Sequence, residues 1–134
     1  MTDFGCSPFE KWAIVVHGWT ETVRSYWVTD LMENLQKYRG GCTVFMDYSY
    51  FSSTLHRDDY FKLQRKYPQI ADMLLQKLKM MEEEGFDPKK GFMFGFSLGA
   101  RIVIEAARNF GEKKIKEIDV CDAAGPGKIQ IKDQ

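Results

Sequence analysis

Short apolar runs alternate with longer amphipathic stretches along the chain. The run KWAIVV at residues 11–16 is continuous, rich in β-branched residues and too short for a helix, so it predicts a strand buried on both faces. Residues 42–48 (CTVFMDY) form another short apolar run, and residues 91–94 and 116–122 (KEIDVCD) also predict strands. The pattern therefore predicts four short strands.

Three amphipathic stretches separate these strands. Residues 23–38 carry apolar side chains at helical spacing and end in RGG, residues 64–84 repeat the pattern and end in EEEG, and residues 98–110 form a third stretch. The polar, serine-containing segment 49–59 (SYFSSTLHRDD) predicts a long loop. The alternation of strands and helices predicts an α/β fold, with a mostly parallel sheet covered by helices on both faces, in one domain spanning residues 1–134.

Composition and charge narrow the class of protein. Hydrophobic residues make up 44% and aromatic residues 14%, which is typical of a globular chain. Lysine plus arginine equals aspartate plus glutamate at 19 each, so no net field attracts nucleic acid. No window has the long uncharged apolar run of a membrane span, and the amino terminus MTDFGCSPFEKW lacks the pattern of a signal peptide.

The three cysteines, Cys6, Cys42 and Cys121, do not have the close spacing of a metal knuckle, so no metal site is predicted. Cys42 and Cys121 both fall in strand-like runs, and this favours buried thiols over a disulfide. The pairing of the cysteines and the redox compartment stay open.

The segment GFMFGFSLGARIVIEAARNFG places Ser97 between two glycines, at the junction of a predicted strand and a predicted helix. The Gly-x-Ser-x-Gly pattern fits an ordinary tight turn or a nucleophile on a strained turn. In the second interpretation Leu98 opens the helix, and Gly95 and Gly99 are required because strand and helix approach closely there. The motif alone does not decide between the two interpretations.

Other polar residues follow neighbouring strands. His17, Gly18 and Trp19 come after the first strand, and Asp122 comes at the end of the last. In a doubly wound sheet the carboxyl ends of the strands form one crevice, so these residues are expected near Ser97. A serine nucleophile needs a histidine to take its proton and a carboxylate to orient that histidine.

An acyl-transfer site also needs backbone N–H donors for the oxyanion. This fold supplies one from the residue after the nucleophile and one from the loop after an earlier strand, which here are Leu98 and Trp19. Gly18 would let that loop approach the reacting carbonyl.

Asp119 is expected to point away from Asp122, and Asp47 is expected to be a structural hydrogen-bond acceptor.

VVHGW, GFSLGA and DVCDAAGPG, in this order and spacing, resemble the animal pancreatic lipase family of α/β-hydrolases, from about residue 12 to residue 127. CDAAGPG is similar to arthropod-type members. The resemblance implies a partial α/β-hydrolase fold and hydrolysis of triglycerides, phospholipids or galactolipids outside the cell, at a lipid surface, without an organic cofactor. It implies the roles of nucleophile for Ser97, triad acid for Asp122 and oxyanion donors for Trp19 and Leu98. Some relatives are non-catalytic yolk or lipid-binding proteins, which is the alternative function.

Two departures from the family pattern matter. Phe96 stands where the family has histidine, in a supporting position. No histidine follows Asp122 in this sequence, although the triad of this fold runs Ser, Asp, His. His17 is expected to support the oxyanion loop, and His56 is an outside candidate for the base or a surface or lid residue. We therefore expect the amino-terminal part of a lipase domain, weakly active or inactive alone, whose substrate the sequence does not reveal.

Overall fold

The computed structural model describes residues 5–18, 26–48 and 57–121. This part of the chain holds a four-stranded sheet with the strands β1 (Trp12–Val16), β2 (Cys42–Met46), β3 (Gly91–Phe96) and β4 (Glu117–Cys121). The strand order is β2-β1-β3-β4, and every neighbouring pair is parallel. All five residues of β1 are buried, as the run KWAIVV predicts for a strand with a neighbour on each side and a helix on each face.

Within the described ranges three α-helices lie between the strands, α1 (Tyr26–Tyr38), α2 (Arg57–Glu83) and α3 (Leu98–Phe110), and a short 3-10 helix (Pro88–Lys90) precedes β3. Alternate residues of β3 point to opposite faces of the sheet. Met93 belongs to a core that it shares with buried residues of α2 and α3. On the other face the Trp27 ring of α1 lies 6.1 Å from the ring of Phe94 and 5.4 Å from that of Phe96. The expected α/β arrangement, a parallel sheet with helices on both faces, is confirmed.

The second helix is longer than the sequence pattern indicates. It begins at Arg57, so the last three residues of the predicted loop are helical, and it contains Pro68. The prediction started this helix at residue 64, because residues 49–59 have the polar pattern of a loop. Proline removes one helical N–H and disfavours a helix interior, but a buried stripe of α2 packs along α3 and stabilises the helix. The residues of this stripe are Ile70, Leu74, Leu78 and Met81.

The expectation of buried thiols at Cys6 and Cys42 is wrong, because these two residues form a disulfide with their Cα atoms 5.7 Å apart. The segment before β1 runs beside the start of β2, where the Cys42 N–H donates to the Lys11 carbonyl at 2.8 Å. The sequence pattern places Cys42 in a strand but does not show which segment lies next to it. Cys121 keeps a free, half-buried thiol.

Candidate active site

The carboxyl ends of β1 and β3 form the centre of the candidate site. The chain leaves β1 for β2 on one side, and β3 lies on the other side of β1, so a topological switch point lies between β1 and β3. Open parallel sheets bind ligands in the crevice at such a point. His17 and Gly18 follow β1 here, and Ser97 follows β3.

Ser97 has backbone angles of φ 57° and ψ −119°, which residues other than glycine rarely adopt. Such a conformation costs about 1–3 kcal/mol and persists only where the surrounding structure imposes it. Ser97 is the N-cap residue of α3, but its side chain makes no capping hydrogen bond. Serine at this position usually caps with its hydroxyl. The hydroxyl therefore remains available for another task.

Gly95 and Gly99 let the strand and the helix approach each other around Ser97. A methyl group added at Gly95 would lie 2.7 Å from the Gly99 carbonyl carbon and 2.8 Å from the Ala100 Cα. A methyl group added at Gly99 would lie 2.9 Å from the Val16 carbonyl carbon and even closer to the Val16 and His17 carbonyl oxygens. Because Gly99 has no side chain, the start of α3 can lie directly against the end of β1 and the loop that follows it.

The last strand holds the backbone of Ser97. Phe96 pairs with Cys121 in the sheet, and the Ser97 N–H donates to the Cys121 carbonyl at 2.7 Å. Asp122 comes next in the chain but lies outside the described residues. Asp119 is exposed and pairs with Phe94 in the register of β3 and β4.

His17 is fully buried, and both of its ring nitrogens have partners. Nε2 accepts the Tyr48 N–H at 2.9 Å, and Nδ1 lies 2.6 Å from the Gly18 carbonyl oxygen. These contacts fit the neutral tautomer that carries its proton on Nδ1. Burial lowers the pKa of His17, while the Gly18 carbonyl and the Asp47 carboxylate, 3.5 Å from Nε2, partly oppose this effect. The ring is thus bound to the loop by its own nitrogens.

Tyr48 is a residue of the site that sequence reasoning missed. Its ring stacks on the His17 ring with the centroids 3.8 Å apart, and its hydroxyl donates to the His17 carbonyl at 2.5 Å. Tyr48 and Asp47 follow β2, whose carboxyl end lies beside that of β1. The available signal was an aromatic residue just after a parallel strand, because the carboxyl ends of neighbouring strands meet at one edge of the sheet.

The first residue of α3, Leu98, is buried, and backbone N–H groups in a first helical turn have no acceptor within the helix. An oxyanion beside Ser97 would meet such donors. The second predicted donor, Trp19, and the candidate base, His56, lie outside the described residues. Within residues 5–18, 26–48 and 57–121, no group of three or more His, Cys, Asp or Glu side chains could hold a metal ion.

The chain was compared with known proteins. The family model described as Lipase matches residues 5–132. The chain belongs to the lipase family. This match confirms the resemblance to pancreatic lipases at the family level, whereas the arthropod type and the amino-terminal position in a longer domain stay predictions. No curated protein matches the chain.

Membership of the lipase family indicates lipase-like ester hydrolysis and an α/β-hydrolase fold at the family level. Within the described helices, none is both long enough and apolar enough to cross a membrane. Of the residues predicted from the family pattern, the structure brings together Ser97, Leu98, Gly99 and His17. Their chemical roles stay predictions.

Proposed function

We propose that this lipase-family chain carries the machinery for acyl-ester hydrolysis of lipids through an acyl-enzyme on Ser97. The observation that carries this proposal is the strained conformation of Ser97 at the apex of the turn between β3 and α3. A serine that caps a helix in an ordinary turn does not require a positive φ. It also does not require two neighbouring glycine positions at which no side chain fits. The turn therefore favours the nucleophile over the structural interpretation.

In the proposed reaction the Ser97 Oγ attacks the ester carbonyl carbon as a base takes the hydroxyl proton. The carbonyl oxygen becomes an oxyanion, for which the N–H groups of Leu98 and Trp19 are the proposed donors. Collapse of this intermediate releases the alcohol, which takes up the proton, and leaves an acyl group on Oγ. Water then attacks the acyl-enzyme by the same route and releases the fatty acid. Asp122 is the proposed carboxylate that orients the base.

The identity of the base limits the activity that we expect from these 134 residues. Both ring nitrogens of His17 are engaged by Gly18 and Tyr48, so this ring supports the loop and does not take the serine proton. His56 is the other histidine in the sequence. A site without its base retains only about 10³ to 10⁴ of acceleration over water, and we expect slow turnover by this chain alone.

A non-catalytic lipid-binding or yolk-type protein is the second candidate function. The engagement of both His17 nitrogens favours it, since a binding protein does not need a free base. The strained turn at Ser97 argues against it, because this conformation lowers stability without serving lipid binding.

A fluorogenic acyl ester and a serine-directed fluorophosphonate together test the proposal on the 134-residue chain. We expect slow turnover and slow labelling, both lost in Ser97→Ala and both retained in the matched control Ser7→Ala. Labelling unchanged in Ser97→Ala would contradict the nucleophile assignment. Brisk turnover that is lost in Ser97→Ala and also in His56→Gln would contradict the expectation of a missing base and assign it to His56. Saturable lipid binding without any labelling of Ser97 would favour the binding protein.

Secretion is part of the proposal. The family resemblance supports it, and so does the Cys6–Cys42 disulfide, since disulfides persist mainly in oxidising compartments. Alkylation of the native protein tests this point. We expect one labelled cysteine, Cys121, without reductant and three after reduction, whereas three labels without reductant would contradict the disulfide and remove its support for secretion.

A further inference from the structure

A groove of about 470 Å³ lies at the amino edge of the sheet, opposite the edge that carries Ser97. Its lining includes residues that immediately precede the strands: Lys11 before β1, Lys90 before β3 and Lys116 before β4. The groove therefore shares no residue with the candidate active site. Its volume falls in the range of about 300–1,000 Å³ that is typical of small-molecule sites.

Positive charge dominates this groove. Its lining holds five cations, Lys11, Arg39, Lys89, Lys90 and Lys116, against the single carboxylate of Glu117. The Lys89 amine donates to the Lys113 carbonyl, and the Lys90 amine donates to the Phe9 carbonyl at 3.2 Å. These carbonyls orient the amines but carry no net charge. Among the described residues none of the five cations forms an ion pair, so the groove keeps an excess of positive charge.

Arg39 is held in place at one side of the groove. Its guanidinium donates to the Trp12 carbonyl at 3.0 Å and to the Lys90 carbonyl at 2.9 Å, and it lies over the Phe92 ring. Burial lowers the pKa of Arg39 and the Glu117 carboxylate raises it, but an arginine in a protein keeps its charge. Because Glu117 lies near Arg39, it offsets the arginine charge, and the lysines supply the excess.

Helix α1 supplies an apolar wall to the same groove. Leu31, Leu35 and Tyr38 follow one another at helical spacing and line it together. Leu31 and Leu35 are half-buried, and Tyr38 is 77% exposed. The groove therefore presents a hydrocarbon surface beside a cluster of ammonium groups.

We propose that this groove binds an amphipathic monoanion of the fatty-acid type, with its carboxylate at the lysines and its alkyl chain along α1. The two surfaces match the two parts of such a ligand, because a carboxylate accepts hydrogen bonds from ammonium groups and an alkyl chain is removed from water against leucine. An inorganic anion would leave the apolar wall unused. A neutral lipid would leave the lysines unused. The site is separate from Ser97 and does not depend on the proposed ester hydrolysis.

Equilibrium dialysis with laurate tests this site in the Ser97→Ala chain. Acetate, which has the carboxylate without the long alkyl chain, and dodecanol, which has the alkyl chain without the charge, are the comparison probes. We expect laurate to bind more tightly than either probe by at least tenfold. Removal of two charges in Lys89→Gln/Lys90→Gln should weaken laurate binding by up to about twenty-five-fold, since each exposed charge pair contributes up to about fivefold. Tyr38→Ser should weaken laurate binding and leave acetate binding unchanged. The matched control Lys79→Gln removes an exposed lysine of α2 and should change neither.

A second variant separates binding from folding. Lys116 has an exposed side chain, and its described hydrogen bond comes from its backbone N–H to the Pro88 carbonyl, so Lys116→Gln removes a charge without disturbing that contact. We expect it to weaken laurate binding about threefold to fivefold with an unchanged far-UV circular dichroism spectrum. Equal laurate affinity in Lys116→Gln, the double lysine variant and the parent chain would overturn the proposal. Laurate and acetate binding equally well would overturn it too, as would binding to phosphatidylglycerol vesicles in the absence of laurate binding.

Discussion

The two edges of the sheet are built on different principles. At the carboxyl edge the chain combines a strained backbone, two glycines that leave no room for a methyl group and a buried neutral histidine. At the amino edge, long cationic side chains are spread around an open groove, and a disulfide joins the chain before β1 to the start of β2. Substitutions at the first edge should therefore act through geometry, and substitutions at the second edge through charge or chain connectivity.

The largest expected effect comes from breaking the disulfide at the amino edge. Its loop spans 36 residues, and Cys6→Ser should lower the free energy of unfolding by about 3–4 kcal/mol because the unfolded chain gains freedom. Urea denaturation of the oxidised protein measures this change. Cys121→Ser, which removes the free thiol, is the control and should cost less than about 1 kcal/mol. Equal losses in the two variants would contradict the pairing.

The next effect concerns the geometry of the carboxyl edge. In Gly99→Ala the added methyl group would collide with the backbone at Val16 and His17, so the start of α3 must move away from β1. We expect a loss of about 2–3 kcal/mol in the free energy of unfolding, together with loss of fluorophosphonate labelling at Ser97. Gly40→Ala is a useful comparison, because Gly40 has a positive φ, unlike Gly99, but has open space around it. A smaller loss in Gly99→Ala than in Gly40→Ala would contradict the close approach.

Removal of the Tyr48 hydroxyl should weaken the attachment of the loop after β1. Tyr48→Phe removes the donor to the buried His17 carbonyl and should lower the free energy of unfolding by about 1–2 kcal/mol. It should also slow the labelling of Ser97, because the loop that leads to Trp19 loses this contact. Tyr38→Phe at the amino edge is the matched control and should leave both unchanged. If Tyr48→Phe changes neither quantity, the hydroxyl does not hold the loop.

The smallest effect is a dependence of stability on pH. The pKa of His17 in the folded protein is lowered from its ordinary value of 6.5, mainly by burial, so the unfolded chain binds a proton that the folded chain does not. Stability should be fully retained above pH 6.5 and should fall below it, by at most about 1.4 kcal/mol per pH unit until the folded histidine also titrates. Urea midpoints between pH 7.5 and 5 measure the slope. This slope should persist in His56→Gln. Loss of the slope in that variant would show that it arises from His56 and not from His17.

Much of the fold could be predicted because its strands and helices alternate as short segments bounded by turns. β1 and α3 match their predicted segments to within one residue, and the Ser97 turn lies where the glycine pattern places it. The start of α2 was predicted too late, because residues 57–59 continue the polar pattern of the preceding segment although they are helical. The role of Tyr48 and the Cys6–Cys42 pairing could not be predicted either, because both depend on which segments of the chain lie side by side in the folded sheet.

The hydrogen bond from the Ser97 N–H to the Cys121 carbonyl sets an order of assembly. During synthesis β3 and Ser97 leave the ribosome before β4, and until β4 docks, the Ser97 amide has only water as a partner. The strained turn is not favoured by its local sequence, so it needs that last described strand to hold it. We therefore expect the strained turn to form late in folding, so that a nascent chain holding only β1, β2 and β3 has Ser97 without this backbone geometry.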